Sequence, residues 1–180
     1  MYPHEHFLLA VVPVAMFSFL FLRKLPSGKT TLILLIASQF PDLIDKPLAF
    51  SLQVLPSGRM LAHSVVVSVP LLLALIILAT RYGRTRDALV FVFGYMSHLV
   101  GDFYRVFTLG TEYHFYPNIF WPLLEANTGK RESFAAFYPE STADLLIPVG
   151  ILLLGLAYSV FMMYASRSHS LEKSPKPGGP

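Results

Sequence analysis

Histidines and aspartates that could bind a metal ion recur along this 180-residue chain, beside or inside apolar segments. The candidate ligands are one N-terminal histidine, His4 in preference to His6, followed by Asp42, Asp45, His63, His98 and Asp102. The two aspartates near residue 43 are three positions apart, and His98 precedes Asp102 by four, so each pair shares a helix face. Such ligands fit zinc best, with manganese or iron as alternatives, and suffice for one or two ions.

These residues also have readings without a metal. His98 and Asp102 could form a hydrogen bond at a helix end, and His63 could be a buried core histidine. Asp42 and Asp45 could instead pair with Lys46 and Arg59. A metal reading accounts for all of them together, because a charged residue at mid-bilayer costs about 2.5–3.5 kcal/mol and a bound cation neutralises the carboxylates.

Three of the residues could take part in catalysis. Arg59 lies four positions before His63 and could hold an anionic group through paired hydrogen bonds, or anchor the chain at lipid headgroups. An aspartate that does not bind the metal could act as general base, and Asp45 and Asp102 are the candidates.

The composition indicates the environment of these residues. Hydrophobic residues make up 54% of the chain and charged residues 14%, against about 25% charged in soluble domains. The chain has no cysteine, which excludes disulfides and thiolate ligands. The net charge of +3 comes from short basic clusters beside apolar runs, as in membrane topology signals, and we expect no nucleic-acid binding. The chain is therefore predicted to be an integral membrane protein.

Apolar segments predict an all-α fold with about five transmembrane helices in one domain over residues 1–166. A spanning helix needs about 20 mainly apolar residues. The predicted spans are residues 7–22, 30–50, 60–80, 88–107 and 145–166.

The basic residues predict the orientation of these spans. Nine of the 14 Lys and Arg residues fall on one side of the predicted bundle. They are Arg23, Lys24, Lys29, Arg81, Arg84, Arg86, Arg167, Lys173 and Lys176. By the positive-inside rule this side is cytoplasmic, which places the N-terminus outside and the C-terminus inside a cytoplasmic (inner) membrane. All the candidate ligands then lie in the extracytoplasmic half.

Two segments are too polar to span. Residues 104–143 form a predicted extracytoplasmic loop rich in aromatic side chains, which favour the headgroup layer, so we expect it to lie at the membrane interface. Residues 167–180 are rich in Ser, Lys, Pro and Gly and are predicted to be a disordered cytoplasmic tail.

Four short segments resemble a known family. They are FPDLID (40–45), RMLAHS (59–64), SHLVGD (97–102) and WPL (121–123), preceded by an early histidine. In this order they resemble the membrane-bound metal-dependent hydrolases, also described as LexA-binding, inner-membrane-associated hydrolases. The resemblance implies a metal site at the early histidine and at Asp42, Asp45, His63, His98 and Asp102.

The predicted function is metal-dependent hydrolysis at the outer membrane interface. The depth of the ligands indicates membrane lipids as partners and a lipid or lipid-linked ester or phosphoester as substrate. The alternative is a non-catalytic, metal-stabilised membrane scaffold or regulator-binding protein. A metal-ion transporter fits less well, because the cytoplasmic halves of the predicted helices are apolar.

Overall fold

The computed structural model describes residues 2–128 and 142–172, and within these ranges every regular element is helical. The helices are α1 (Pro3–Leu22), α2 (Gly28–Ala37), α3 (Phe40–Lys46), α4 (Val65–Arg81), α5 (Thr85–Phe103), α6 (Val106–Leu109), α7 (Tyr116–Ile119) and α8 (Thr142–Glu172). A π-helical turn follows α3 over Pro47–Ser51, and a 3₁₀ turn follows α6 over Gly110–Glu112.

Helix α1 begins four residues before the predicted span. Pro3 occupies the first turn, where its missing N–H costs no hydrogen bond. The Glu5 carboxylate accepts a hydrogen bond of 2.6 Å from the backbone N–H of Tyr2 and so caps the helix start. The helix ends where Arg23 adopts a left-handed conformation, with φ of 53°.

The predicted span over residues 30–50 is divided. Helix α2 has only ten residues, and α3 begins after a break at Ser38 and Gln39. Pro41 in the first turn of α3 and Pro47 at its end explain this, because proline starts or interrupts a helix but does not continue its hydrogen bonding. The break sets α3 apart as a short element that carries Asp42 and Asp45.

Helix α4 begins at Val65 rather than at residue 60. The Ser64 hydroxyl caps it by accepting a hydrogen bond of 3.2 Å from the Val66 N–H. The preceding segment, residues 52–64, consists of turns and bends. The apolar residues from 60 onwards predict an earlier start, but the Ser64 cap sets the first residue of the helix.

Two helices in the described part of the chain are long and apolar enough to cross a membrane. These are Pro3–Leu22 and Leu146–Ser166, with mean hydropathies of 2.0 and 2.2. Helix α4 is apolar but shorter, at 17 residues. Five separate apolar spans of full length are therefore not found in the described part: turns divide residues 30–64, and the unbroken helix α5 of 19 residues is too polar to meet the same criterion.

Helix α5 is the centre of the helix packing. Helices α1, α2 and α4 all pack against it, and α8 packs on α2 and α1. Glycines allow the closest approaches: a Cβ at Gly94 would lie 2.9 Å from the Ala37 Cβ, and one at Gly155 would lie 2.6 Å from the Phe7 ring. Small residues commonly permit such close packing between membrane helices.

The segment after α5 folds back over one end of the bundle. The Ser64 hydroxyl donates to the backbone carbonyls of Ile119 and Trp121, which ties this segment to the start of α4. Of the predicted loop over residues 104–143, residues 129–141 lie outside the described part. Helix α8 continues to Glu172, beyond the predicted start of the tail, and residues 173–180 also lie outside the description.

Candidate metal centre

Four of the predicted ligands converge in the structure. Asp42 comes from α3, His63 from the turn before α4, and His98 and Asp102 from consecutive turns of α5. One ligand atom from each lies within 4.8 Å of the others, and all four residues are buried. The helix break at Ser38 and the late start of α4 together bring α3 and His63 to this end of α5.

The spacing of the four ligand atoms fits a single small cation. His63 Nε2 lies 3.1 Å from His98 Nε2, 3.5 Å from Asp42 Oδ1 and 3.4 Å from Asp102 Oδ2. His98 Nε2 lies 3.8 and 3.9 Å from the same two carboxylate oxygens. Metal–ligand bonds of about 2.0–2.1 Å in a tetrahedral zinc site place ligand atoms about 3.3 Å apart, so the observed distances bracket that value.

Hydrogen bonds fix the orientation of both imidazoles. His98 Nδ1–H donates to the Ser38 carbonyl over 2.7 Å, and His63 Nδ1–H donates to the Asp45 carboxylate over 2.8 Å. Each ring therefore carries its Nδ1 proton outward and turns Nε2 into the cluster. Two neutral rings so placed would oppose lone pairs across 3.1 Å, which requires a cation or a second proton between them.

Basic side chains hold the two carboxylates of the cluster. Lys46 donates to Asp42 Oδ2 over 2.6 Å, while Asp42 Oδ1 is buried and has no hydrogen-bond partner in the described protein. Arg59 Nε–H donates to Asp102 Oδ2 over 2.7 Å. The sequence also allowed Asp42 and Asp45 to form salt bridges with Lys46 and Arg59. In the structure Lys46 does pair with Asp42, whereas Arg59 pairs with Asp102. A buried carboxylate oxygen without a partner is costly, and a cation in the cluster would satisfy it.

Asp45 lies behind His63 and not in the cluster. Its fully buried carboxylate accepts hydrogen bonds from the backbone N–H groups of Met60, Ala62 and His63 over 2.8, 2.8 and 3.2 Å. It also accepts the hydrogen bond from the His63 ring described above. These contacts occupy both oxygens. Asp45 therefore orients a ligand, as carboxylates often do behind metal-bound histidines, and departs from the predicted roles of ligand or general base.

The structure places His6, and not His4, beside the cluster. The buried His6 ring stacks on His98 with 3.7 Å between centroids, and His6 Nε2 lies 3.3 Å from Asp102 Oδ1. His4 is half-buried and stacks loosely on Tyr2 at 5.9 Å. Because α1 begins at Pro3, residues 4 and 6 point in nearly opposite directions, and only one can face the site.

An open cleft leads to the cluster. Its volume is about 990 Å³, and Arg59 and Asp102 contribute to its lining together with Glu5, Tyr113 and Phe115. The Arg59 guanidinium lies 5.1 Å above the centre of the Phe115 ring, a cation–π contact that holds it between the cleft and Asp102. The aromatic segment after α5 thus forms one wall of the approach to the cluster.

The YdjM inner membrane protein family matches residues 1–171. The chain belongs to this family. The match supports a location in the membrane, together with the two long apolar helices, and does not extend to hydrolase activity or to LexA binding. No curated protein and no solved structure matches the chain significantly.

Two partners of the site in this YdjM-family chain were not assigned from the sequence. The N-terminal histidine could have been assigned to His6 from the Pro3 and Glu5 signals, which start α1 early enough to orient both histidines. The Ser38 carbonyl could not have been assigned from the sequence, because every residue type has a backbone carbonyl and its position depends on the break between α2 and α3.

Proposed function

We propose that this YdjM-family chain is a metal-dependent hydrolase whose site lies at the membrane interface. The observation that supports this most directly is the convergence of two oriented Nε2 atoms with two carboxylates, one of which lines an open cleft. The donor set His63, His98, Asp42 and Asp102 fits one divalent ion, most closely zinc, with manganese and iron as alternatives.

The chain's own groups have distinct tasks in this proposal. Asp45 holds the His63 ring, the Ser38 carbonyl holds His98, and Lys46 holds Asp42, so that the ligands keep their positions. When bound, the divalent ion would supply Lewis-acid polarisation and a nucleophile at neutral pH. Asp102, bordered by Arg59 and His6, is the ligand that lines the cleft, so a bound ion would face a substrate on this side.

Arg59 is the proposed substrate-binding residue. Its guanidinium sits at the cleft, fixed through Nε–H to Asp102 and stacked on Phe115. A planar cation held in this way favours an anionic group such as a phosphoester or carboxylate. Together with the interfacial position, this supports a lipid or lipid-linked ester or phosphoester as substrate.

The proposed membrane arrangement retains five crossing segments. Helices α1 and α8 cross at full length, α4 and α5 cross as helices of 17 and 19 residues, and α2 with α3 crosses as one broken segment. The N-terminus is outside and the C-terminus is cytoplasmic, because the basic residues near α2, the α4–α5 turn and the end of α8 share one side.

Turnover by three variants tests the proposal. Metal-loaded protein in vesicles is offered phospholipids, lipid-linked phosphates and simple esters, with wild type, Arg59→Ala, Arg105→Ala and His98→Ala compared. Arg59→Ala should lower kcat/KM by about 10- to 100-fold while the metal stays bound, because the hydrogen bond from Arg59 to the anionic group of the substrate is lost. Arg105 lines the same cleft but lies over Tyr104, and its removal should have little effect. The proposal fails if no substrate class is turned over faster than by His98→Ala.

A non-catalytic role is the second candidate. The cluster connects α3, the turn at His63 and α5, so a bound ion would also fasten three separate segments. Metal binding contributes directly to folding stability in such sites. A metal-stabilised scaffold would unfold more easily after its metal is removed, and it would turn over none of the substrates above.

A further inference from the structure

A second cavity lies between α2, α3, α4 and α5, apart from the cleft. It has a volume of about 670 Å³ and shares no lining residue with the cleft. Its floor is α5, and its two walls are α4 and the broken α2–α3 segment, both of which pack on α5 or beside it. We call it the α4 groove.

The α4 groove has the dimensions of one lipid chain in one leaflet. Along α4 its lining runs from Val67 to Ala79, which at 1.5 Å per residue is about 18 Å. Half of a hydrocarbon core about 30 Å thick is about 15 Å. Apart from Ser68, the lining between these ends consists of aliphatic and aromatic side chains, including Leu72, Leu75 and Phe91.

Charged groups meet the groove at one end only. Arg84 and Asp87 line that end, and the Asp87 carboxylate accepts from Lys29 over 2.6 Å and from Arg84 over 2.7 Å. Two cations and one anion thus leave this end with one net positive charge at neutral pH.

We propose that the α4 groove binds one anionic phospholipid, with an acyl chain along α4 and the phosphate at Lys29 and Arg84. The apolar length fits the chain, and the basic end fits the headgroup of the leaflet on that side. The proposal does not depend on the hydrolase activity, because the two cavities are separate.

Such a lipid would also contact the back of the metal centre. Phe40 and Ile44, one turn apart on α3, line the far end of the groove, while Asp42 and Asp45 on the same helix serve the site. The lipid would therefore hold a seven-residue helix that has few other packing partners.

Native mass spectrometry of the full chain tests the acyl-chain part. The protein is purified in mild detergent and exchanged with phosphatidylglycerol. Ala79→Trp should fill the groove and lose the retained lipid, whereas Ala74→Trp, on α4 outside the groove, should retain it as wild type does. Circular dichroism checks that both variants keep wild-type helix content. Equal retention by the two variants would overturn the proposal. So would a wild-type dimer that Ala79→Trp converts to a monomer, because a second copy would then occupy the groove.

A surface variant tests the headgroup part without filling the groove. Wild type should retain phosphatidylglycerol in preference to phosphatidylcholine, and Arg84→Gln should reduce this preference about fivefold, as expected for one cation near an anionic headgroup. Arg86→Gln, on the same turn of α5 but not in the groove lining, serves as the matched control. An unchanged preference in Arg84→Gln, or an equal loss in Arg86→Gln, would contradict the assignment of the phosphate to this end.

Discussion

At the scale of single residues, the candidate site consists of ligands that are each held by a fixed partner. Asp45 holds His63, the Ser38 carbonyl holds His98, Lys46 holds Asp42, and Arg59 holds Asp102. These partners fix which ring nitrogen and which carboxylate oxygen face the centre. Positions preorganised in this way lower the cost of binding an ion.

Asp45→Asn tests the importance of such a partner. The amide keeps the shape of the side chain but turns an NH₂ group towards donors that need an acceptor. We expect the metal affinity to fall about 10- to 100-fold, and the folded protein to be destabilised by about 1–3 kcal/mol for a donor left unpaired. Competition with a chelator measures the affinity. Asp87→Asn is the control, because the half-buried Asp87 lies eleven residues before His98 on α5 and its loss should leave metal affinity unchanged. Equal affinities in wild type and Asp45→Asn would contradict this role.

The structure brings four of the six residues predicted as ligands into one cluster. His98 and Asp102 were assignable from helical spacing, and Asp42 and His63 from the cost of placing ionisable groups in apolar segments. Asp45 was not distinguishable from Asp42, because a spacing of three allows either to face a site. Its role is determined by the turn at Met60–His63, because Asp45 accepts hydrogen bonds from the backbone N–H groups of that turn. The sequence of such a turn gives little indication of its conformation.

At the scale of elements, close helix approaches support the site from a distance. Gly28 begins α2 where α8 crosses it, and a Cβ there would overlap the Ser159 carbonyl oxygen. Tyr158 on α8 donates to the Pro26 carbonyl over 2.7 Å beside this contact. The crossing therefore fixes the start of α2, and α2 in turn positions Ser38 at its end.

Gly28→Ala should weaken this crossing. A backbone oxygen cannot move aside as a flexible side chain can, so we expect a loss of about 1–3 kcal/mol in stability. The control is Gly150→Ala on α8, where the new Cβ meets nothing within 4 Å and alanine favours the helix, so stability should stay equal or rise by up to about 1 kcal/mol. Thermal unfolding in detergent, followed by circular dichroism, measures both. A Gly28→Ala midpoint at or above that of Gly150→Ala would show that the helices are not in such close contact.

Helical class and the two long spans follow from hydropathy, whereas the internal breaks do not. The apolar run over residues 30–50 reads as one helix because its turn residues, Ser38 and Gln39, are ordinary in helices too. Pro41 allows a new helix to start at α3, and tertiary contacts hold the break before it: the Ser38 carbonyl accepts from His98, and the Gln39 amide donates to the Pro3 carbonyl over 2.9 Å. The segments that depart most from the prediction are those that position the site.

At the scale of the whole molecule, polar and basic groups lie at opposite ends of the bundle. The cluster and cleft lie at the end where α1 and α4 begin, and Lys29, Arg84 and Asp87 lie at the other end. This distribution supports the proposed topology. Cysteine labelling on the naturally cysteine-free chain tests it. In intact cells, Glu112→Cys should react with an impermeant reagent and Arg86→Cys should not; labelling of Arg86→Cys from outside would reverse or exclude the arrangement.

Metal content is the most direct test of the central claim, that Asp42, His63, His98 and Asp102 form a metal centre. Elemental analysis of detergent-purified protein compares wild type with His98→Ala and with His114→Ala, a histidine of the cleft that lies outside the cluster. We expect about one divalent ion per chain in wild type and His114→Ala, and none in His98→Ala. A folded wild-type protein that takes up no divalent ion after incubation with zinc, manganese or iron would contradict it, and would leave a protonated His63 between the two carboxylates as the explanation of the cluster.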